Sequence, residues 1–266
     1  MGLRSGTRVW RSRSAADPDE GRLVPNLVYA TKTLVAERPT LAIASARVRR
    51  RPQSLRRDTD LVIEGYPRSA NSFVVRAFSM SQAPLRIAHH THAPGQVIVA
   101  CRRRIPTLVL VRRPADAVAR LAFLRPRVSL ASLLRGWCRF YGPLAPWLDR
   151  FVVGRFEDVT TDLGAVMKEM NDRFGTRYEP FEHTPESIGS AFRAMESEWS
   201  TRIDRSDPAF EHHVTRPSSQ RSTRVAEIEA KLGSARYERL MDTALALYGE
   251  LTEPRNSGGA GSPGSR

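Results

Sequence analysis

Leu61-Val62-Ile63-Glu64-Gly65-Tyr66-Pro67-Arg68-Ser69-Ala70-Asn71-Ser72-Phe73 is the stretch that decides the fold. A short, mostly apolar run ends in a Gly-Tyr-Pro break. Arg68 follows, then Ser69, Ala70, Asn71 and Ser72, then an apolar segment, Phe73 to Phe78, that can start a helix. Strand, tight small-residue loop and helix together aim several backbone N–H groups and a helix N-terminus at one anion. The pattern predicts a strand over 60–65, a helix over 71–81 and a phosphate cradle between them. It is not a nucleotide triphosphatase loop, which needs Gly-Lys-Ser/Thr, nor the Gly-x-Gly-x-x-Gly dinucleotide turn. Taken alone, it also fits an ordinary turn between strand and helix, where Ser and Asn are common.

Working outward, Thr107-Leu108-Val109-Leu110-Val111 reads as a strand buried on both faces, and 85–90 and 151–153 read as two more. Between them lie helical patterns: 96–103, 115–124 with Pro114 at its first turn, 130–147, 163–174 and 224–251, the last divisible at Gly233. Strands alternating with helices predict an α/β fold with a central, mostly parallel sheet. In such sheets ligands sit at the carboxyl ends of the strands.

Two further clusters follow strands, and a third precedes the last helix. In His89-His90-Thr91-His92-Ala93-Pro94, strand alternation would put His90 and His92 on one face and turn His89 away. A metal site would need ligands that are not close by in sequence. A general base near neutral pH or a solvated strand end both fit better. Arg112 leaves the end of the 107–111 strand, and Arg120 lies on the helix that follows, with Asp116 in its first turn. Guanidinium groups there suit bidentate recognition of a phosphate, although solvated arginines at a helix start are common. Arg216-Pro217-Ser218-Ser219-Gln220-Arg221 is the fourth basic group, able to complete an anion site or to remain a solvated loop.

In order and spacing, these pieces resemble the sulfotransferases that use 3′-phosphoadenosine 5′-phosphosulfate (PAPS). The family's Tyr/Phe-Pro-Lys-Ser-Gly-Thr-Thr-Trp loop is similar to Tyr66-Pro67-Arg68-Ser69-Ala70-Asn71-Ser72-Phe73. Its Lys-Thr-His-x-Pro is similar to His90-Thr91-His92-Ala93-Pro94, and its Arg-Asn/Asp-Pro-x-Asp-x-x-x-Ser to the run from Arg112 to Arg120. Gly136-Trp137 and Arg155-Phe156-Glu157-Asp158 resemble two later family features. The likeness spans about 60–175 and extends more loosely to 251. The chain departs from the family at Arg68 (Lys), Ala70 (Gly), His90 (Lys) and Arg120 (Ser), and it has no Arg-Lys-Gly motif near the C-terminus.

The resemblance implies a P-loop-like fold and transfer of a sulfonate from PAPS to a hydroxyl, leaving 3′,5′-ADP, with no metal. It implies His92 as general base, with His90 beside it. Arg68 and the backbone of Ser69, Ala70, Asn71, Ser72 and Phe73 would hold the 5′-phosphosulfate. Arg112 and Arg120 would grip the 3′-phosphate, with Arg216 and Arg221 standing in for the missing motif. The acceptor expected is a small molecule or a glycan or glycolipid hydroxyl, walled by a variable lid over 178–223 that offers Phe181, His183, Phe192, Trp199 and Phe210.

Composition sets the frame. The 266 residues are 41% hydrophobic and 26% charged, with a net charge of +14. Residues 1–57 hold 13 Lys/Arg against 4 Asp/Glu, so +9 of that charge sits there. The expected organisation is a basic, largely flexible arm over 1–57, a domain over 58–252 and a disordered tail over 253–266. No run of about 18 apolar residues suggests a membrane span, and the basic N-terminus lacks the apolar core of a secretory signal. Cys101 and Cys138 match no metal or redox spacing. A cytoplasmic protein is expected, with no specific nucleic-acid partner. Two alternatives stay open: binding of nucleic acid or an anionic membrane through the basic arm, and a non-catalytic nucleotide-binding relative of the family.

Overall fold

The structure, a computed structural model, describes residues 23–49, 52–200 and 219–253, with the side chains at 199 and 219–221 left aside. Leu61–Gly65 (β1) pairs in parallel with Ile87–His89 (β2) on one side and Thr107–Val111 (β3) on the other. Val152–Arg155 (β4) adds to the far edge of β3, also parallel, for an order β2-β1-β3-β4. The expected α/β class with a parallel sheet is borne out.

Every residue of β1 and β3 is buried. Alternation sends Leu61, Ile63, Leu108 and Leu110 to one face and Val109 and Val111 to the other. The first face is covered by Asn71–Ser81 (α3) and Leu163–Phe174 (α8). The second is covered by Pro94–Arg102 (α4), Pro114–Leu124 (α5) and Leu130–Tyr141 (α6). The helix expected over 130–147 ends at Tyr141. Gly142-Pro143 and the further Pro146 draw the chain into a tight 3-10 segment, Gly142–Arg150, because proline cannot donate to a regular helix. Phe156–Thr161 (α7) follows β4. Ser219–Leu232 (α10) and Glu238–Thr252 (α11) flank the break expected at Gly233.

Gly65 is required by the sheet itself. It sits opposite Leu110 in the β1–β3 register. A Cβ there would lie 2.6 Å from the Leu110 carbonyl oxygen and 2.9 Å from the Leu110 Cβ. The close approach lines up the carboxyl ends of β1, β2 and β3, so the segments that leave them emerge at one edge.

Two expectations about organisation need correction. Residues Leu23–Glu37 (α1) and Pro39–Val48 (α2) are helices docked on the domain, not part of a flexible arm. Tyr29 is buried in the larger core cluster, and Ala42 and Ala46 are buried as well. The sequence does not mark α1 with a core-facing stripe, because the helix buries one residue and turns its aliphatic side chains outward. Part of the variable lid expected over 178–223 belongs to the core: Pro185–Ser200 (α9) is a regular helix that buries Ala191 and Met195. The tail beyond 253 lies outside the described residues.

Candidate functional site

The cradle is built on β1 and held from beneath by tyrosines. The Tyr66 N–H donates to the Tyr141 hydroxyl at 3.2 Å, and that hydroxyl donates to the Leu110 carbonyl at 2.6 Å. The Tyr66 hydroxyl donates to the Leu133 carbonyl at 2.9 Å, so Tyr29 supplies the proton of its 3.1 Å contact with Tyr66. Gly136 makes room for this. A Cβ there would lie 2.5 Å from the Tyr29 hydroxyl oxygen. The Asn71 amide closes the turn by donating to the Tyr66 carbonyl at 3.1 Å. Ala70 caps α3 with no side-chain bond, which leaves the first N–H groups of that helix for another acceptor.

Two cradle residues have left-handed backbones, Arg68 (φ 75°) and Ala70 (φ 68°). Neither is glycine, so each carries local strain. Arg68, Ala70, Asn71, Ser72 and Phe73 line one cavity of about 900 Å³. Ser69 does not. Its side chain is fully buried, with its hydroxyl 3.5 Å from Tyr141, so only its backbone N–H remains for a ligand.

The histidine loop is positioned by a residue that the sequence presents only as a member of a mostly apolar run. Glu64 is fully buried in β1. Its Oε1 accepts from the Thr91 N–H (2.8 Å), the Thr91 hydroxyl (2.6 Å) and the Gln96 amide (3.2 Å), and its Oε2 from the His92 N–H (3.0 Å). Burial raises its pKa to about 7, against the downward pull of those bonds. A lone carboxylate in an otherwise apolar strand, just before a cradle, was the signal available.

His90 and His92 also have positive φ, 55° and 50°. The strand therefore ends at His89, and strand alternation does not govern this loop. His89 was expected to turn away, but its Nδ1 lies 2.5 Å from the Nδ1 of His90. His90 also reaches Ser72, Nε2 to Oγ 3.0 Å. His92 Nδ1 lies 2.7 Å from the Gly65 carbonyl. That acceptor assigns the proton to Nδ1 and leaves the lone pair on Nε2. Burial holds the His92 pKa at about 3, with nearby His90, Lys32 and Arg125 adding to the depression. Burial likewise lowers His89 to about 4, and His90 is lowered too. At neutral pH the three rings are uncharged. His90 and His92 line the cavity, their ring centroids 5.9 Å apart.

Arg112 leaves β3 and is almost fully buried. Its NH1 donates to the Arg68 carbonyl at 3.2 Å, and its guanidinium stacks 3.5 Å over the Phe156 ring. Nε, 3.9 Å from an Asp116 carboxylate oxygen, is a buried donor with no hydrogen-bond partner among the described residues. Burial, with Arg120 nearby, lowers the pKa to about 10, so the group stays charged. Arg120 lines the same cavity, but its NH1 pairs with Glu229 of α10 at 3.2 Å. Arg216 lies outside the described residues. Arg221 falls on α10, with its side chain outside them.

The cavity gathers these parts and adds a wall that was not expected: Tyr29, Lys32, Thr33 and Ala36 of α1. Phe73 stacks on Phe192 (centroids 5.8 Å apart), and Phe192 and His183 line the cavity while Phe181 sits in the core behind. Phe210 lies outside the described residues. Six cations line the space, Lys32, Arg68, Arg112, Arg120, Arg125 and Arg139, and no carboxylate does among the described residues. Such a lining suits a ligand with more than one negative charge. The described residues hold no cluster of three or more metal-ligating side chains, and none of their helices is long and apolar enough to cross a membrane.

No family model and no curated protein matches the sequence. Among solved structures, the chain is similar to a mouse sulfotransferase, SULT7A1, crystallised in complex with PAP, at 13% identity and a TM-score of 0.38, over 72% of this chain and 90% of that one.

Proposed function

We propose that the protein transfers a sulfonate group from PAPS to a hydroxyl acceptor. One observation carries the reading: a single cavity of about 900 Å³ holds the cradle, the His92 ring and Arg112, with no carboxylate among its described lining residues. The residues fit a bisphosphate donor. The uncapped start of α3 and the cradle N–H groups suit the 5′-phosphosulfate. The charged guanidinium of Arg112, whose Nε makes no hydrogen bond among the described residues, suits the 3′-phosphate, with Arg120 able to join it from its pair with Glu229.

In this reading His92 Nε2 takes the proton of the acceptor hydroxyl, while the Nδ1–H bond to Gly65 fixes the ring. The low pKa of His92 belongs to the protein alone. Negative charge bound beside the ring favours the imidazolium and lifts its basicity. Arg68 cannot give up its proton and therefore acts by charge, opposite the leaving phosphate. His90, held by Ser72, orients the cradle next to it. Arg216 and Arg221 remain candidates for the 3′-phosphate side. Phe192 and His183 would face the acceptor, a small molecule or the hydroxyl of a glycan or glycolipid.

Titration calorimetry with 3′,5′-ADP against ADP tests the donor site. Clear preference for the bisphosphate is expected, and equal affinity for the two would overturn the reading. Turnover of labelled donor over a panel of acceptors then separates an enzyme from a non-catalytic binder. His92→Ala should lower turnover by about 10²–10⁴ while 3′,5′-ADP affinity is kept. Turnover at the native rate would remove His92 from the base role.

A further inference from the structure

Nine large hydrophobic side chains are exposed among the described residues, and seven of them lie on α1 and α2: Leu23, Val24, Leu27, Val28, Leu34, Leu41 and Val48. Four are crowded into the first two turns of α1, with exposures of 83%, 69%, 62% and 62% for Leu23, Val24, Leu27 and Val28. At about 100° per residue, these four and Leu34 fall within an arc of about 140° on one side of the helix. Tyr29, Thr33 and Ala36, which face the cavity, fall on the opposite side. Packing thus accounts for one side of α1 and leaves the other as an aliphatic stripe, crowded at Leu23–Val28 and carried on past Thr31 to Leu34. Scattered surface aliphatics are ordinary, but a contiguous stripe marks an interaction surface.

The charges around the stripe favour one kind of partner. Arg38, Arg47 and Arg49 are exposed on and beside the same two helices. Glu37 is the one acidic residue between 23 and 49, and it is paired with Arg139 at 3.5 Å. An aliphatic helix face with cations beside it and no unpaired carboxylate suits an anionic lipid surface, where the stripe enters the boundary of the acyl region and the basic side chains meet the headgroups. A nucleic acid would use the cations but would leave the aliphatic stripe in water.

We propose that α1, with α2 beside it, docks the protein peripherally on anionic membranes. The docking element is a folded helix face, not a disordered charged arm. One helix diameter, about 10 Å, then separates the lipid boundary from the wall of the cavity. The proposal does not depend on sulfonate transfer, because no cavity residue takes part in it.

Co-sedimentation of the full chain with phosphatidylcholine vesicles, with and without phosphatidylglycerol, tests it. Binding is expected only when phosphatidylglycerol is present. The double variant Val24→Ser/Leu27→Ser should keep its thermal midpoint, since both side chains are exposed, and should partition about tenfold or more weakly. Failure of the native chain to sediment with anionic vesicles would overturn the proposal, as would a variant that binds like the native chain. A concentration-dependent dimer that the variant abolishes, without vesicle binding, would assign the stripe to a second copy. Binding to RNA that displaces vesicles and ignores the variant would assign the surface to nucleic acid.

Discussion

Glu64→Gln is the substitution most informative about how the site is held. Four donors converge on the carboxylate, two of them the backbone N–H groups of Thr91 and His92. Glutamine keeps the size but replaces one acceptor oxygen with a donor. In either amide orientation at least one N–H faces another donor, which costs about 1–3 kcal/mol. The charge acts in the opposite sense. Burial raises the folded pKa from 4.5 to about 7. The folded state therefore binds more protons than the unfolded state across that window, and this group's contribution to stability falls as pH rises from about 4.5 to 7. Integrated between pH 5 and pH 8, the loss is about 2–3 kcal/mol.

Glutamine carries no such titration. Urea unfolding of both proteins at pH 5 and pH 8 should show the difference between native and variant move by about 2–3 kcal/mol in favour of the variant at the higher pH. His89 and His92 are held neutral in the fold, so they lower stability as pH falls below about 6.5, but they do so in both proteins and cancel in the comparison. Parallel pH dependences, differing by less than about 1 kcal/mol, would show that the four donors outweigh burial and that Glu64 is ionised throughout. Variants at Thr91 would then be needed to weigh the loop.

Ala70→Gly should stabilise the protein by roughly 0.5–1 kcal/mol, since glycine relieves the left-handed strain at φ 68° and gives back part in chain entropy; a lowered thermal midpoint would contradict this. Gly65→Ala forces a Cβ to 2.6 Å from the Leu110 carbonyl, so a loss of about 1–3 kcal/mol or failure to fold is expected by calorimetric melting, and native stability would refute the close-approach argument. Arg112→Ala should weaken 3′,5′-ADP binding by about 10–100-fold by calorimetry, and unchanged affinity would remove Arg112 from the donor site.

What the sequence showed, and what it hid, follows from where each residue gets its meaning. The strand at 107–111 and the helices at 71–81 and 163–174 fall at the expected residues, because local pattern and tertiary demand agree there. The cradle, the His90–His92 segment and Arg112 were legible because each directly follows a strand. Tyr29, Glu64, Tyr66 and Tyr141 were not, because a tyrosine or glutamate among apolar residues declares its partner only in three dimensions. Arg120 was legible as a cation, but its pairing with Glu229 across 109 residues was not.

The hidden residues explain the legible ones. Four non-glycine residues around one cavity, Arg68, Ala70, His90 and His92, are left-handed, and each such backbone costs about 1–3 kcal/mol. Within the loops the Ser72–His90 contact and the His92 bond to Gly65 act against that, and Ala70 makes no side-chain cap. The rest of the offset lies one layer down. Glu64 takes the N–H groups of Thr91 and His92, Tyr141 takes the N–H of Tyr66, Asn71 holds the Tyr66 carbonyl, and Arg112 holds the carbonyl of Arg68. Three of these four supports stand in β1, at the start of α3 or in α6, and the fourth leaves the end of β3, so the loops inherit the rigidity of the sheet. The same strain in unsupported loops would relax and let the cradle and the His92 ring drift apart. The buried carboxylate and the tyrosine floor are therefore as necessary to the site as the residues that would touch a ligand.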